Sequence, residues 1–227
     1  MSTVSSIPLS SVFESGDRMS REEFHRLYEG TPDDFKAELI GGIVYVASPL
    51  RREHGTRHVD LATVFGLYRA STPGVDAGDN ATIILGDDAE PQPDLYMRIR
   101  SEFGGQSQIT PKGYIEGAPE LVAEIAHSSR SIDLHGKYED YRQNGVREYV
   151  VVCLEERRCC WFELNGDREL PVDSDGVIRI HTFPGLWIDG KALLSGDHAK
   201  LIATAQAGLA TEEHAAFARE LESHRRV

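Results

Sequence analysis

Residues 120–154 carry the clearest structural pattern of the chain and read ELVAEIAHSSRSIDLHGKYEDYRQNGVREYVVVCL. The first seven residues, 120–126, are rich in apolar and branched side chains, which is typical of a strand. Residues 131–144 have leucine and tyrosine at helical spacing and predict a helix that ends at an Asn-Gly pair. Residues 148–154 form a continuous apolar run, as in a central strand that is covered on both faces. This order of strand, helix and strand predicts an α/β core.

The segments before this core predict two helices, a hairpin and short strands. Ser20 and Glu23 have the spacing of a capping box, which predicts a helix that begins at Arg21. The glycine pair at 41–42 lies between two β-rich pieces, as in a hairpin. The predicted elements are a helix over 21–29, a hairpin over 37–47, a helix over 52–70, and strands near 81–85 and 94–99.

The remaining segments are more polar. Residues 100–117 are rich in glycine without a clear period, which predicts a loop or a partly mobile flap. Antiparallel strands are predicted near 159–164, 169–172 and 177–180, and one or two amphipathic helices beyond Gly196. We therefore expect three parts. They are a flexible arm over 1–16, a single domain over 17–196, and a helical tail over 197–227.

Composition excludes several classes of protein. The 227 residues include 24 Lys and Arg against 37 Asp and Glu, for a formal net charge of −13. That balance excludes a globally basic nucleic-acid coat, although a local basic cleft remains compatible with it. No window approaches the ~18 apolar residues of a membrane-spanning helix. Three cysteines make neither a disulfide framework nor a zinc pattern and predict reduced thiols in the cytoplasm. No glycine-rich phosphate loop follows a strand.

Two acids in apolar strand contexts are the main candidates for chemistry. Asp94 follows Pro93 at the start of a strand, and Glu124 shares one face of its strand with Val122 and Ala126. A carboxylate with such neighbours is costly to bury unless it is paired or binds a metal. Two acids on adjacent strands would suit octahedral Mg²⁺ or Mn²⁺. The alternative is that Asp94 caps a turn and Glu124 pairs with an arginine.

Lys137 and His54 are further candidates. Lys137 lies on the predicted helix after the Glu124 strand, where it could orient a water or offset charge on a phosphate. The alternative is a surface pair with Asp133, four residues earlier. His54 and His58 have the i,i+4 spacing of metal ligands, but the glutamate of an HExxH zinc site is missing. A polar contact at the helix start is the alternative for His54.

Several short motifs follow one another in a distinctive order over roughly 18–188. They are ELIGGIV at 38–44, His54, Pro93-Asp94, ELVAEI at 120–125, then Asp133, Lys137, Tyr141 and GVREY at 145–149. In this order they resemble the Uma family of putative restriction endonucleases, within the PD-(D/E)XK nuclease superfamily. The resemblance implies a restriction-endonuclease-like mixed β-sheet core that is flanked by helices.

The resemblance also implies roles for residues. Asp94 matches the family's PD aspartate and Glu124 its second acid, so both would bind Mg²⁺ or Mn²⁺. The superfamily usually has a lysine two residues after that acid, where this chain has Ala126. Lys137 on the following helix matches the lysine that the family uses instead. The supporting positions that match are Glu38, Tyr141 and His54. The implied activity is metal-dependent hydrolysis of phosphodiester bonds in nucleic acid, with DNA as the expected substrate.

Two alternatives to a nuclease stay open at this point. One is an inactive relative that binds nucleic acid or protein, although the joint presence of Asp94, Glu124 and Lys137 favours activity. The other is a hydrolase or transferase of a different phosphate substrate, which the acidic surface favours. A basic lane near Arg51, Arg52 and Arg57 would favour DNA.

A homodimer is expected because nucleases of the superfamily often pair their sites. The apolar side chains of the tail either need a partner or dock on their own domain. They are Leu201, Ile202, Leu209, Phe217 and Leu221.

Overall fold

The computed structural model describes residues 13–32, 34–127 and 129–225. Its helices are α1 (Arg21–Tyr28), α2 (Arg52–Ser71), α3 (Tyr138–Gln143), α4 (Gly190–Ser195), α5 (His198–Leu209) and α6 (Glu212–Ser223). Its strands are β1 (Ala37–Ile40), β2 (Ile43–Val46), β3 (Val75–Gly78), β4 (Ile83–Ile84), β5 (Leu95–Ile99), β6 (Gln108–Ile109), β7 (Ile115–Glu116), β8 (Leu121–Ala126), β9 (Glu148–Cys153), β10 (Arg158–Glu163), β11 (Arg168–Glu169), β12 (Val177–Arg179) and β13 (Trp187–Asp189).

A mixed six-stranded sheet forms the core, in the order β11-β10-β9-β8-β5-β3. Strands β8 and β9 are parallel, and every other neighbouring pair is antiparallel. A parallel pair needs a crossover, and the segment with α3 supplies it. The predicted α/β core with a mixed sheet flanked by helices is confirmed.

The two faces of β8 pack against different helices, as its alternating pattern predicts. Leu121, Ala123 and Ile125 belong to the larger core, with α2 and the C-terminal helices. Val122 and Ala126 belong to the second core, which includes Tyr141 of α3. All residues of β8 and β9 are buried, so the prediction of a central strand over 148–154 is also confirmed.

Local signals place the first elements correctly. The Ser20 hydroxyl accepts a hydrogen bond from the Glu23 amide at 3.3 Å and begins α1. Strands β1 and β2 pair with Ile40 opposite Ile43. Gly41 and Gly42 make the turn between them with φ of 54° and 73°, values that suit glycine.

The prediction of a loop or flap over 100–117 is wrong in part. The segment contains a 3₁₀ turn at Ser101–Phe103 and the strands β6 and β7, which join β4 in a three-stranded sheet. Sequence patterns missed it because each strand has two residues and is held by pairing with a distant partner.

The predicted helix over 131–144 has two parts. Residues Ile132–Lys137 form a π-helical turn, and α3 follows it. The Tyr149 hydroxyl of β9 donates to the Asp133 carbonyl at 3.1 Å and satisfies a backbone group of the wider turn. Periodicity alone cannot reveal such a turn, because the stabilising hydroxyl lies 16 residues away.

The C-terminal helices dock on the domain itself. Leu201 and Leu221 are buried in the larger core, and Ile202, Leu209 and Phe217 pack against it. The tail therefore leaves none of these five side chains in need of a partner.

Most of the predicted N-terminal arm, residues 1–12, lies outside the described residues, whereas Phe13 is buried beside Phe24. The division of the chain into 1–16, 17–196 and 197–227 stays a prediction. Among the helices described, none combines the length and the apolar character needed to cross a bilayer.

Candidate active site

A cavity of about 300 Å³ opens between the β1–β2 hairpin, the start of α2 and the π-helical turn. Five of the six side chains predicted for the site line it. The sixth, Tyr141, does not line it but donates a hydrogen bond to Glu124, which does. The five are Glu38, His54, Asp94, Glu124 and Lys137. The structure thus brings together residues from five separate segments of the chain.

Lys137 is the central charge of this site. Its ammonium lies 2.9 Å from Glu124 Oε1 and 2.8 Å from Glu38 Oε1, with Asp133 Oδ1 at 4.0 Å. Burial favours the neutral amine. The three carboxylates outweigh it and hold the pKa of Lys137 well above its ordinary value. Lys137 therefore stays positively charged although only 5% of it is exposed.

Glu124 projects from the middle of β8 into the cavity. Its Oε1 accepts from Lys137 and from the Tyr141 hydroxyl at 3.1 Å, and its Oε2 accepts from the Asp94 amide at 3.2 Å. Burial raises the pKa of Glu124, and the neighbouring ammonium opposes that rise. At neutral pH we describe Glu124 as a carboxylate and Lys137 as an ammonium. The 2.9 Å contact between them is that of an ion pair, and two further carboxylates keep Lys137 protonated.

Asp94 lies beside Glu124, directly before β5. Its Oδ2 accepts from the Ile125 amide at 2.7 Å and contacts His54 Nε2 at 3.1 Å. Burial acts to raise the pKa of Asp94, but the hydrogen bond and charge of His54 lower it below its ordinary value. The same hydrogen bond raises the pKa of His54. These contacts hold one oxygen of the carboxylate and fix its orientation.

Asp133 is the residue whose place in the site the sequence analysis underestimated. It is buried, it lines the cavity, and its Oδ2 accepts from the Ser129 hydroxyl at 2.6 Å. Burial raises its pKa to about 6. The available signal was its i,i+4 spacing to Lys137, which we interpreted as a possible surface pair.

The structure resolves several of the alternatives that the sequence left open. Glu124 pairs with Lys137 rather than with an arginine. The Asp94 carboxylate does not cap a turn but accepts from the Ile125 amide of the neighbouring strand β8. His54 makes the expected polar contact in the first turn of α2, and its partner is Asp94. Two of the arginines predicted to form a basic surface near the site differ in their contacts. The Arg57 guanidinium donates to Asp60 Oδ2 at 3.1 Å, whereas Arg51 lines the cavity.

The donor set fits a small divalent cation. Among the described residues, Asp94 Oδ1 accepts no hydrogen bond, and Glu124 Oε2 accepts only one. No group of three His, Cys, Asp or Glu side chains in that part of the chain is placed to hold a metal. Mg²⁺ commonly uses one or two carboxylates and keeps several waters, so two acids suffice.

Charge balance points the same way. Four acidic side chains line the cavity, and Lys137 forms close ion pairs with two of them, Glu38 and Glu124. These four acids with Lys137 and a protonated His54 would carry a negative excess, while Lys36 and Arg51 line the same cavity without a salt bridge to the four acids. A divalent cation would offset that excess in a poorly solvated place. The four acids are Glu38, Asp94, Glu124 and Asp133.

Comparison with known proteins gives a family and a fold. The sequence matches the model of the family Uma2, described as "Putative restriction endonuclease", over residues 21–191. A crystal structure of a putative nuclease belonging to DUF820, from Anabaena variabilis, aligns with a TM-score of 0.61 at 15% identity. The alignment covers 78% of this chain and 98% of that one, and at this identity it concerns the fold. No curated protein matches the sequence. Because the family model spans well over half of the chain, this protein belongs to the Uma2 family.

Proposed function

We propose that this protein is a divalent-metal-dependent nuclease that hydrolyses phosphodiester bonds of nucleic acid, with DNA as its substrate. One observation carries the proposal. Asp94, directly before β5, lies beside Glu124 of the neighbouring strand β8, and a buried Lys137 contacts Glu124 within the same cavity. Membership of the Uma2 family supports the same reaction. Asp94 and Glu124 are the proposed ligands of Mg²⁺ or Mn²⁺, and Lys137 is the proposed catalytic cation.

A bound divalent ion would lower the pKa of a coordinated water and polarise a phosphoryl oxygen. The chain's own residues prepare the place for this chemistry. His54 and the Ile125 amide orient Asp94 through one oxygen and leave the other directed away from them. Tyr141 restrains Glu124 from behind.

Lys137 supplies a fixed positive charge that is almost fully buried. Its ammonium is held between Glu38 and Glu124, so it does not need to reorganise during the reaction. A preorganised charge in a water-poor cavity stabilises developing negative charge far more than a solvated one does. We therefore propose that Lys137 stabilises charge on the phosphate or orients the attacking water.

The first test combines metal titration with cleavage assays. Mg²⁺ and Mn²⁺ are titrated by calorimetry into the wild type and into the double variant Asp94→Asn with Glu124→Gln. Cleavage of single-stranded and double-stranded DNA is measured for both proteins and for Lys137→Met. The substitutions keep side-chain volume, and thermal melting verifies that each variant folds.

The proposal predicts that metal binding is lost in the double variant and that cleavage is lost in all variants. Metal binding without cleavage by the wild type would point to another phosphate substrate. No metal binding by the folded wild type would contradict the assignment of Asp94 and Glu124.

We also propose a cytoplasmic homodimer. Cys153, Cys159 and Cys160 are free thiols, which supports a reducing compartment. The dimer is supported by the resemblance to nucleases that pair their sites, since the tail's apolar side chains are already covered by the domain. Sedimentation would distinguish a dimer from the 25.2 kDa monomer.

A further inference from the structure

We infer that the substrate strand enters the cavity unpaired, with one nucleotide stacked on Tyr45. The inference rests on the proposed function, because it concerns the substrate of the same site. It adds a strand preference and a base-binding surface.

The depth of the site is the first argument. Glu124 is 3% exposed and Lys137 is 5% exposed, and the cavity above them holds only about 300 Å³. Such a volume is at the lower end of pockets for small ligands. The phosphates of a paired duplex are held in place by the helix, whereas a free strand can bend into a pocket. Enzymes that modify a base take single strands or nucleotides extruded from the helix, because the target must enter a pocket, and we extend that requirement to this site.

Tyr45 provides the second argument. It lies opposite Glu38 in the β1–β2 ladder, so both side chains project from the same face of the hairpin. Glu38 reaches Lys137 on that face, and Tyr45 lines the same cavity. Among the described residues, Tyr45 is half-buried and its hydroxyl has no hydrogen-bond partner. A base can stack on such a ring whatever its sequence.

The charges at the rim provide the third argument. Lys36 and Arg51 both line the cavity, and neither forms a salt bridge within the described residues. Arg51 contacts the His127 ring at 3.4 Å. Two cations on a chain of net charge −13 can neutralise about two phosphates. A duplex-binding surface typically uses about 6–10 phosphate contacts.

The test measures binding by fluorescence anisotropy with Ca²⁺ as the divalent ion. The probes are one labelled oligonucleotide, its duplex with an unlabelled complement, and thymidine 5′-monophosphate as competitor. Wild type is compared with Tyr45→Ala, Tyr45→Phe and Tyr114→Ala. Tyr114 is a half-buried tyrosine that packs on His25 and does not line the cavity, so it is the matched control.

The expected result is single-strand binding at least about tenfold tighter than duplex binding. Tyr45→Ala should weaken it about tenfold, while Tyr45→Phe and Tyr114→Ala should keep it. The logarithm of affinity should fall against the logarithm of salt concentration with a slope of about −1.4, which corresponds to two contacts on a single strand. Lys36→Ala with Arg51→Ala should bring the slope close to zero.

Three results would overturn the inference. They are duplex binding equal to or tighter than single-strand binding, equal affinity for the mononucleotide and the oligonucleotide, and no effect of Tyr45→Ala. The proposed reaction is judged separately by cleavage with Mg²⁺. Equal cleavage of duplex and single strand would retain the nuclease and reject the unpaired entry. Binding that depends on Tyr45 without any cleavage would retain the unpaired entry and reject the nuclease.

Discussion

Two glutamates on one strand face show how differently the protein uses a buried acid. Glu120 directly precedes β8 and Glu124 lies in the middle of that strand, four residues further on, with exposures of 0% and 3%. Glu120 accepts from the backbone amides of Ile99 and Gln106, at 2.8 and 3.2 Å. Glu124 instead meets a lysine ammonium and a tyrosine hydroxyl beside a cavity.

The difference lies in what compensates the charge. Backbone amides are neutral and fixed, so Glu120 joins the end of β5 to the connector after it. Glu148 at the start of β9 is of the same kind, with hydrogen bonds from Trp161 and from the amides of His181 and Thr182. Glu124 keeps unused acceptor capacity toward the cavity. A buried acid is therefore a candidate for chemistry when ionisable side chains and open space surround it.

The largest effect should separate the two glutamates by activity. We expect Glu124→Gln to lower nuclease turnover on the order of 10²–10³-fold, because it removes a charge that acts at the reacting centre. Glu120→Gln should leave turnover within about twofold, since its partners lie away from the cavity. Single-turnover cleavage with Mg²⁺ measures both. Equal losses of turnover in the two variants would contradict the claim that Glu124, unlike Glu120, acts in the reaction.

A second effect should separate them by stability. Glu120→Ala leaves two amides without their acceptor, and we expect the free energy of unfolding to fall by about 1–3 kcal/mol. Urea unfolding measures it. Glu120→Gln is the control, because its amide oxygen can still accept one of the two hydrogen bonds. An unchanged unfolding midpoint for Glu120→Ala would show that the buried acid does not hold the connector.

A smaller effect tests how Glu124 is oriented. Tyr141→Phe keeps the buried ring and removes the hydroxyl that donates to Glu124 Oε1 at 3.1 Å. The loss of one such hydrogen bond is worth about 1 kcal/mol, so turnover should fall about fivefold. Tyr149→Phe is a matched control, since its hydroxyl donates to the Asp133 carbonyl instead. A larger loss for Tyr149→Phe would place the orienting role in the π-helical turn.

Sequence patterns could predict elements whose signals are local. The capping box of α1, the glycine turn of the β1–β2 hairpin and the alternation in β8 all lie within a few residues. Strand β3 was missed because Val75–Gly78 is short and mixed, and it is held by pairing with β5. The π-helical turn depends on a hydroxyl from the next strand.

The site was predictable only in part, for a related reason. The alternation along ELVAE places Glu120 and Glu124 on one face, so alternation alone does not show which of the two lines a cavity. The apolar neighbours of Glu124 made it a candidate, and the resemblance to a family assigned it the role of a metal ligand. The contact of Glu38 with Lys137 joins residues 99 positions apart, which no spacing can show. Asp133 entered the sequence analysis as a motif residue and as a possible i,i+4 partner of Lys137, and its burial comes from tertiary packing, which spacing does not show.

A fourth buried acid extends the comparison to pH, with the smallest expected effect. Asp140 accepts from the Gly41 amide at 2.9 Å without a cation beside it, and burial raises its pKa to about 7. Between pH 4 and 7 the unfolded chain therefore loses this proton before the folded protein does, so stability falls as pH rises through that range. After allowance for partial solvation, the loss is about 1 kcal/mol. Asp140→Asn keeps the acceptor without the charge, and its unfolding free energy in urea should fall less between pH 5 and 8 than that of the wild type. The same fall in both proteins would mean that the Gly41 amide alone is enough to hold an ionised acid.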